Sequence, residues 1–197
     1  MKIWGAVALT ILCWAFTFGL AWGNFWAKIG FSVVLICGYS FYWQKPKITF
    51  SIRSAVIGLI SAAVLYGIFY LGFVLSPYIV PHATTQVGGI YGMGTDTNKT
   101  LIFFLLLLIT GPGEEIFWRG FLQENLMGKY GNIAGFILTT FIYGSIHIFS
   151  LNFMLTMAAY VAGAFWGALY LWKRDLTMVI VSHSVWSAVI FAVFPVH

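Results

Sequence analysis

Gly111-Pro112-Gly113-Glu114-Glu115-Ile116-Phe117-Trp118-Arg119-Gly120 is the stretch whose reading decides the fold. It follows the apolar run Leu101–Ile109 without a break. Two adjacent carboxylates and a guanidinium therefore fall inside, or at the edge of, a segment apolar enough to cross a membrane. Arg or Asp at the centre of such a helix costs about 2.5–3.5 kcal/mol by insertion scales. A chain tolerates this where the groups pair with one another and face other helices or water. Glu115 and Arg119 are four apart with the acid first, which stacks them on one helical face in the favourable order. Gln123 continues that face. Glu114 points about 100° away. It has no local partner and is the acid suited to general-base work.

Outward from this stretch, the whole chain reads as a membrane protein. Of 197 residues, 61% are hydrophobic and only 8% charged, against about 25% charged in a soluble domain. Mean hydropathy is +0.93. Seven runs reach or approach the roughly 20 apolar residues a spanning helix needs: 3–22, 25–43, 54–76, 99–126, 131–149, 153–172 and 176–194. The fourth is too long for one straight span. Pro112 cannot donate to the carbonyl of Leu108, so a kink is expected there. The first run is long and lacks a small-residue cleavage site, so it reads as a retained helix. The expectation is an all-α polytopic bundle of about seven transmembrane helices. It forms one domain over residues 1–197, with 99–194 as its chemical core and 1–98 as three preceding helices and an external loop.

Charge asymmetry gives a direction. With the N-terminus cytoplasmic, Lys2, Lys45, Lys47, Arg53, Lys129, Lys173 and Arg174 lie inside and only Lys28 and Lys99 outside, as the positive-inside rule requires. The net charge of +5 is spread between apolar runs and forms no block, which excludes a nucleic-acid surface. Trp4, Trp22, Trp26, Trp43 and Trp172 fall at run ends, where an interfacial belt would put them. The polar connection 82–100, with Gly88, Gly89, Gly92 and Gly94, reads as a flexible external loop. Ala159, Gly163 and Gly167 repeat every four residues and mark a close helix–helix approach. Cys13 and Cys37 read as free thiols. His82, in a loop, and the terminal His197 carry no expected role.

Two other runs carry polar groups at helical spacing. Thr140, Tyr143 and His147 step along one face of the fifth run. His183 and Ser187 share a face of the seventh. At about 1.5 Å per residue, Glu114, His147 and His183 lie at comparable depths, so their convergence is allowed. A water held there is deprotonated by Glu114 with help from a histidine. The second histidine and a hydroxyl or amide stabilise an oxyanion. The chain has no His-Glu-x-x-His, no Gly-x-Ser-x-Gly and no aspartate within a span.

At these residues the chain resembles the CAAX-protease and bacteriocin-processing (CPBP, or Abi) family of intramembrane glutamic endopeptidases, related to the Ras-converting CAAX protease. The family's Glu-Glu-x-x-x-Arg stands here as Glu114-Glu115-Ile116-Phe117-Trp118-Arg119. Its Phe-x-x-x-His is matched by Tyr143-Gly144-Ser145-Ile146-His147. Its His-x-x-x-Asn or Asp is matched by His183-Ser184-Val185-Trp186-Ser187. The resemblance covers about residues 99–194. It implies that Glu114 and His147 activate water, that His183 helps form the oxyanion site, and that Glu115 and Arg119 shape it. Ser187 stands where an amide or carboxylate is usual. Its hydroxyl is shorter, so the expectation is a bridging water, a lower activity, or substitution by a neighbour such as Asn152.

The expected activity is metal-independent hydrolysis of a peptide bond in a membrane-associated protein or peptide, such as a prenylated tail or a leader peptide. The partners are that substrate and the lipid bilayer, with no nucleic acid. The short, loop-poor chain suggests a prokaryotic plasma membrane. Two other readings stand beside this one. In the first, a zinc ion sits on Glu114, His147 and His183. In the second, a non-catalytic scaffold or bacteriocin-immunity protein uses the same cavity, and Ser187 favours it.

Overall fold

A computed structural model describes residues 2–196; His197 lies outside the described residues. Among them, seven helices are long and apolar enough to cross a membrane. We label the helices α1 (Lys2–Gly19), α2 (Phe25–Trp43), α3 (Ile52–Tyr78), the short α4 (Ala83–Tyr91), α5 (Lys99–Tyr130), α6 (Asn132–Ser150), α7 (Phe153–Lys173) and α8 (Leu176–Val193). The seven spans lie within a few residues of those expected, and the described residues hold no strand. The protein is an integral, multi-pass, all-α membrane bundle.

Side-chain chemistry sets the inside and the outside. Leu12, Phe31, Ile60, Leu101 and Phe141 are exposed, whereas Glu115, Arg119, Gln123, Ser182 and His183 are buried. An apolar exterior around a polar interior suits lipid as solvent. Helix α8 is 61% buried, against 22% for α3, so it forms the axis of the bundle. It packs along α3, α5 and α7. Its start is fixed by Asp175, which accepts from the Met178 amide and from the Ser54 hydroxyl. Asn24 and Asn152 cap α2 and α7 in the same way.

Helix α5 carries the charged stretch and is built around it. Pro112 leaves Leu108 without its usual donor, and the chain responds with a π turn over Leu106–Thr110, the Gly111 amide reaching back to the Leu106 carbonyl. A second π turn covers Trp118–Gln123. Between them, a Cβ on Gly111 would lie 2.6 Å from the Ser184 Cα, and one on Gly113 2.6 Å from the Val33 Cγ1. The two glycines thus let α5 pass closely between α8 and α2, which drives Glu114 and Glu115 into the interior.

Two expectations are corrected. The connection 82–100 is not simply a flexible loop. Ala83–Tyr91 is helical, and Gln86 accepts from the Asn152 side chain and from the Met154 amide. The run of small residues at its centre favours a loop by composition, but docking on α7 stabilises helix there. Trp26 does not join the interfacial belt. It is buried against Phe25 and Phe191, while Trp4, Trp22, Trp43 and Trp172 are exposed.

Candidate active site

Glu115 and Arg119 form the back of the site. Both are sealed from solvent, and Arg119 Nη1 donates to Glu115 Oε1 at 2.7 Å. Arg119 Nη2 donates to the Gly163 carbonyl at 3.0 Å, and four residues on, Gln123 Nε2 donates to the Gly167 carbonyl at 2.9 Å. The small-residue stripe of α7 therefore does more than allow close packing. It bares two backbone acceptors in the register of the polar stripe on α5. The guanidinium also lies over the rings of Tyr143 and Trp166, at 5.3 and 5.7 Å, contacts that favour a desolvated cation.

Glu115 Oε1 has a second donor, His183 Nδ1–H at 2.6 Å. The imidazole stacks flat on Trp166, with centroids 3.7 Å apart and planes within 14°. Trp166 Nε1–H in turn donates to Ser182 Oγ, which also receives the Ser61 hydroxyl from α3. His183 is thereby fixed on its face and at one nitrogen. Its Nε2 has no hydrogen bond among the described residues.

His147 is held differently. Its Nδ1 lies 2.7 Å from the Tyr143 carbonyl, which only accepts, so Nδ1 carries the proton. Its Nε2 faces Trp14 Nε1–H at 3.2 Å, which only donates, so Nε2 presents its lone pair to the indole. Both nitrogens of this neutral ring are engaged.

Glu114 stands apart from Glu115, as the helical offset requires. It receives the Tyr143 hydroxyl at 3.2 Å on Oε2, and it faces a cavity of about 670 Å3. Tyr143, His147, His183 and Ser187 line the same cavity, whose other walls are mostly aromatic and aliphatic. The three remote stretches thus meet around one space. Glu115 and Arg119 support it from behind and do not line it. Thr140 does not reach it, and its Oγ1 is buried without a partner. Asn152 does not substitute for Ser187, because its side chain caps α7 and ties down α4. No three His, Cys, Asp or Glu side chains gather as a metal-binding set among the described residues.

Trp14, Trp166 and the hydroxyl of Tyr143 are site residues that the sequence reading did not assign. The tryptophans lay in apolar runs, Trp14 being 133 residues from its histidine, and carried no local signal. Tyr143 was visible as a member of the polar stripe and at a motif position, but with no role for its hydroxyl.

Membrane-length helices around a buried acid–histidine set, open to an apolar cavity, define a polytopic membrane protein with an interior polar site. Residues 96–189 match the family model described as type II CAAX prenyl endopeptidase Rce1-like. This segment, just under half of the chain, is similar to that family, which supports a place among the CAAX-type membrane proteases in general. No curated protein and no solved structure matches the chain. The matched segment holds Glu114, Glu115, Arg119, His147, His183 and Ser187; Trp14 and Ser61 lie before it.

Proposed function

We propose that the chain is a glutamic intramembrane endopeptidase that hydrolyses a peptide bond of a membrane-associated substrate without a metal. The observation that carries this reading is the convergence of Glu114, His147, His183 and Ser187 on one largely apolar cavity, with Glu115 and Arg119 paired behind it. An apolar space of this size suits a lipid-like tail or a hydrophobic segment, and a prenylated C-terminal tail fits the family description.

In the proposed reaction, Glu114 takes a proton from a water in the cavity. The water oxygen adds to the scissile carbonyl carbon, whose π electrons move to oxygen. His183, anchored through Nδ1 to Glu115, presents Nε2 to that oxygen when it carries a second proton. At that stage Glu115 and the oxyanion face Arg119 and an imidazolium, and the buried charges cancel, as a low-dielectric site requires. Ser187 adds its hydroxyl. Collapse breaks the C–N bond, and the leaving nitrogen takes the proton from Glu114. His147 lines the same cavity as Glu114 and is a second acceptor for the water. To serve, its Nε2 must exchange the Trp14 N–H for that water.

The proposed setting is a prokaryotic plasma membrane, with the N-terminus and the basic connections on the cytoplasmic side. The test is turnover of an internally quenched peptide bearing S-farnesylcysteine four residues from its C-terminus. Glu114→Gln, which keeps shape and removes the base, is expected to lower kcat by about 10²–10⁴. Turnover equal to that of the unmodified chain rejects the reading. No turnover by the unmodified chain leaves the scaffold alternative, in which Ser187 marks lost chemistry.

A further inference from the structure

An oxyanion formed in this cavity needs hydrogen-bond donors aimed at it, and the walls offer few. The Trp14 N–H is held by His147 and the Trp166 N–H by Ser182. The Trp186 N–H is sealed away from solvent. Ser187 has only a one-carbon arm. Ser76, Tyr91 and Thr110 also bring hydroxyls to the lining, but the one hydrogen-bonded to Glu114 is that of Tyr143.

We propose that Tyr143 is a further catalytic residue: its hydroxyl, hydrogen-bonded to Glu114 in the resting site, donates to the oxyanion that forms when water adds to the scissile carbonyl. The inference rests on the hydrolytic reading above.

Three observations carry it. First, the ring is immobilised. Trp118 meets it edge-on at 5.0 Å and 88°, the Arg119 guanidinium lies 5.3 Å from its centroid, and a Cβ on Gly163 would come within 2.8 Å of its Cδ1. Second, the hydroxyl hydrogen is the free part of this side chain, because it rotates about the C–O bond. Third, its bond to Glu114 is long. At 3.2 Å it lies well beyond the roughly 2.5–2.7 Å of a strong O–H to carboxylate bond. A rigid phenol on a loose bond is placed to change acceptors.

The reaction supplies the reason to change. While Glu114 is a carboxylate, it is the strongest acceptor near the phenol. When it takes the proton from water, its charge is gone and a negative oxygen appears on the substrate one bond from the attacking water. Charge-assisted bonds are roughly twice as strong as neutral ones, so the phenol O–H turns to the oxyanion. On collapse the C–N bond breaks, the nitrogen takes the proton from Glu114, and the phenol O–H returns to the restored carboxylate. The phenol keeps its own proton throughout, so the balance of the reaction is unchanged.

The test uses the full chain in detergent micelles and the same S-farnesylcysteine peptide. Tyr143→Phe keeps the ring and its contacts with Trp118 and Arg119. It is expected to lower kcat by about 10²-fold, the effect of removing one oxyanion donor, with KM changed by less than about twofold. Ser187→Asn supplies a longer donor on the same side of His183. Its gain in kcat is expected to be at least about tenfold larger in the Tyr143→Phe chain than in the Tyr143 chain. A merely structural role for the phenol gives no such coupling. A Tyr143→Phe kcat within about twofold of the unmodified chain, with Glu114→Gln inactive, overturns this inference and leaves the hydrolytic reading standing. A loss that Ser187→Asn does not repair also overturns it. Full turnover by Glu114→Gln removes both.

Discussion

His147 and His183 line the same cavity, both are buried, and each is fixed by a tryptophan. They are nevertheless held in opposite ways. His183 has Trp166 against its face, so its nitrogens stay in the ring plane, one on Glu115 and one open. His147 meets the edge of Trp14, whose N–H occupies the remaining lone pair. The anchors differ too. Glu115 is a charged side chain that also carries Arg119, whereas His147 is tied to the backbone carbonyl of Tyr143. His183 therefore keeps one nitrogen open to the cavity, and His147 is closed until its tryptophan gives way. Two residues of one type, at similar burial, need not share a role. The nitrogen left over decides.

The sharpest way to break this comparison is to remove the anchor of His183. Glu115→Ala releases the imidazole and leaves Arg119 buried without a counter-charge. Deleting one partner of a buried pair costs about 3–5 kcal/mol. The expected result is a large drop in the midpoint of thermal unfolding in detergent, with Glu115→Gln falling in between because it still accepts a hydrogen bond. An unfolding midpoint unchanged in Glu115→Ala would mean that the cluster is wetter than its burial indicates. The His147 side has no equivalent weak point, since no side-chain deletion removes a main-chain carbonyl.

A smaller effect sharpens the comparison at the nitrogens themselves. Diethyl pyrocarbonate acylates an imidazole nitrogen that offers a lone pair. Peptide-resolved mass spectrometry is expected to find His183 modified faster than His147. Trp14→Phe removes the indole donor and keeps an aromatic ring at the position. A net hydrogen bond of about 1 kcal/mol protects a site by about fivefold, so His147 labelling should rise by about that factor while His183 is unaffected. If the two label equally in the unmodified chain, the Trp14 bond is not protecting His147, and the contrast fails.

The spans were legible because each is a long apolar run, and lipid imposes that pattern on every turn. The pairing of Glu115 with Arg119 was legible because it lies within one helix, at four-residue spacing. The convergence of Glu114, His147 and His183 was readable only as a matter of depth and family resemblance. What could not be read are contacts between remote helices through residues with no polar signature. Trp14 and Trp166 look like lipid-facing or core aromatics in sequence, and their N–H groups matter only once a partner is opposite. Trp26 was misplaced for the same reason, since a tryptophan at a run end is interfacial or inward according to its neighbours. The helix within 82–100 arises from docking against Asn152 and Met154, which local composition does not report.

The smallest expected effect is none at all, and it bears on the difference between the two histidines. A zinc ion on Glu114, His147 and His183 would need a lone pair from each ring. His183 has Nε2 to offer, with Nδ1 already on Glu115. His147 has its Nδ1 proton committed to a carbonyl and its Nε2 lone pair facing the Trp14 N–H. A cation could enter only by expelling the indole, which would leave a buried donor unsatisfied at about 1–3 kcal/mol. Turnover of the farnesylated peptide is therefore expected to be the same before and after treatment with 1,10-phenanthroline or EDTA. A loss of turnover that added zinc restores would reverse the argument, because it would require His147 to be the open ring and Trp14 to stand clear of it. In that case chelation would also change the labelling of His147, so the two measurements test one geometry from opposite sides.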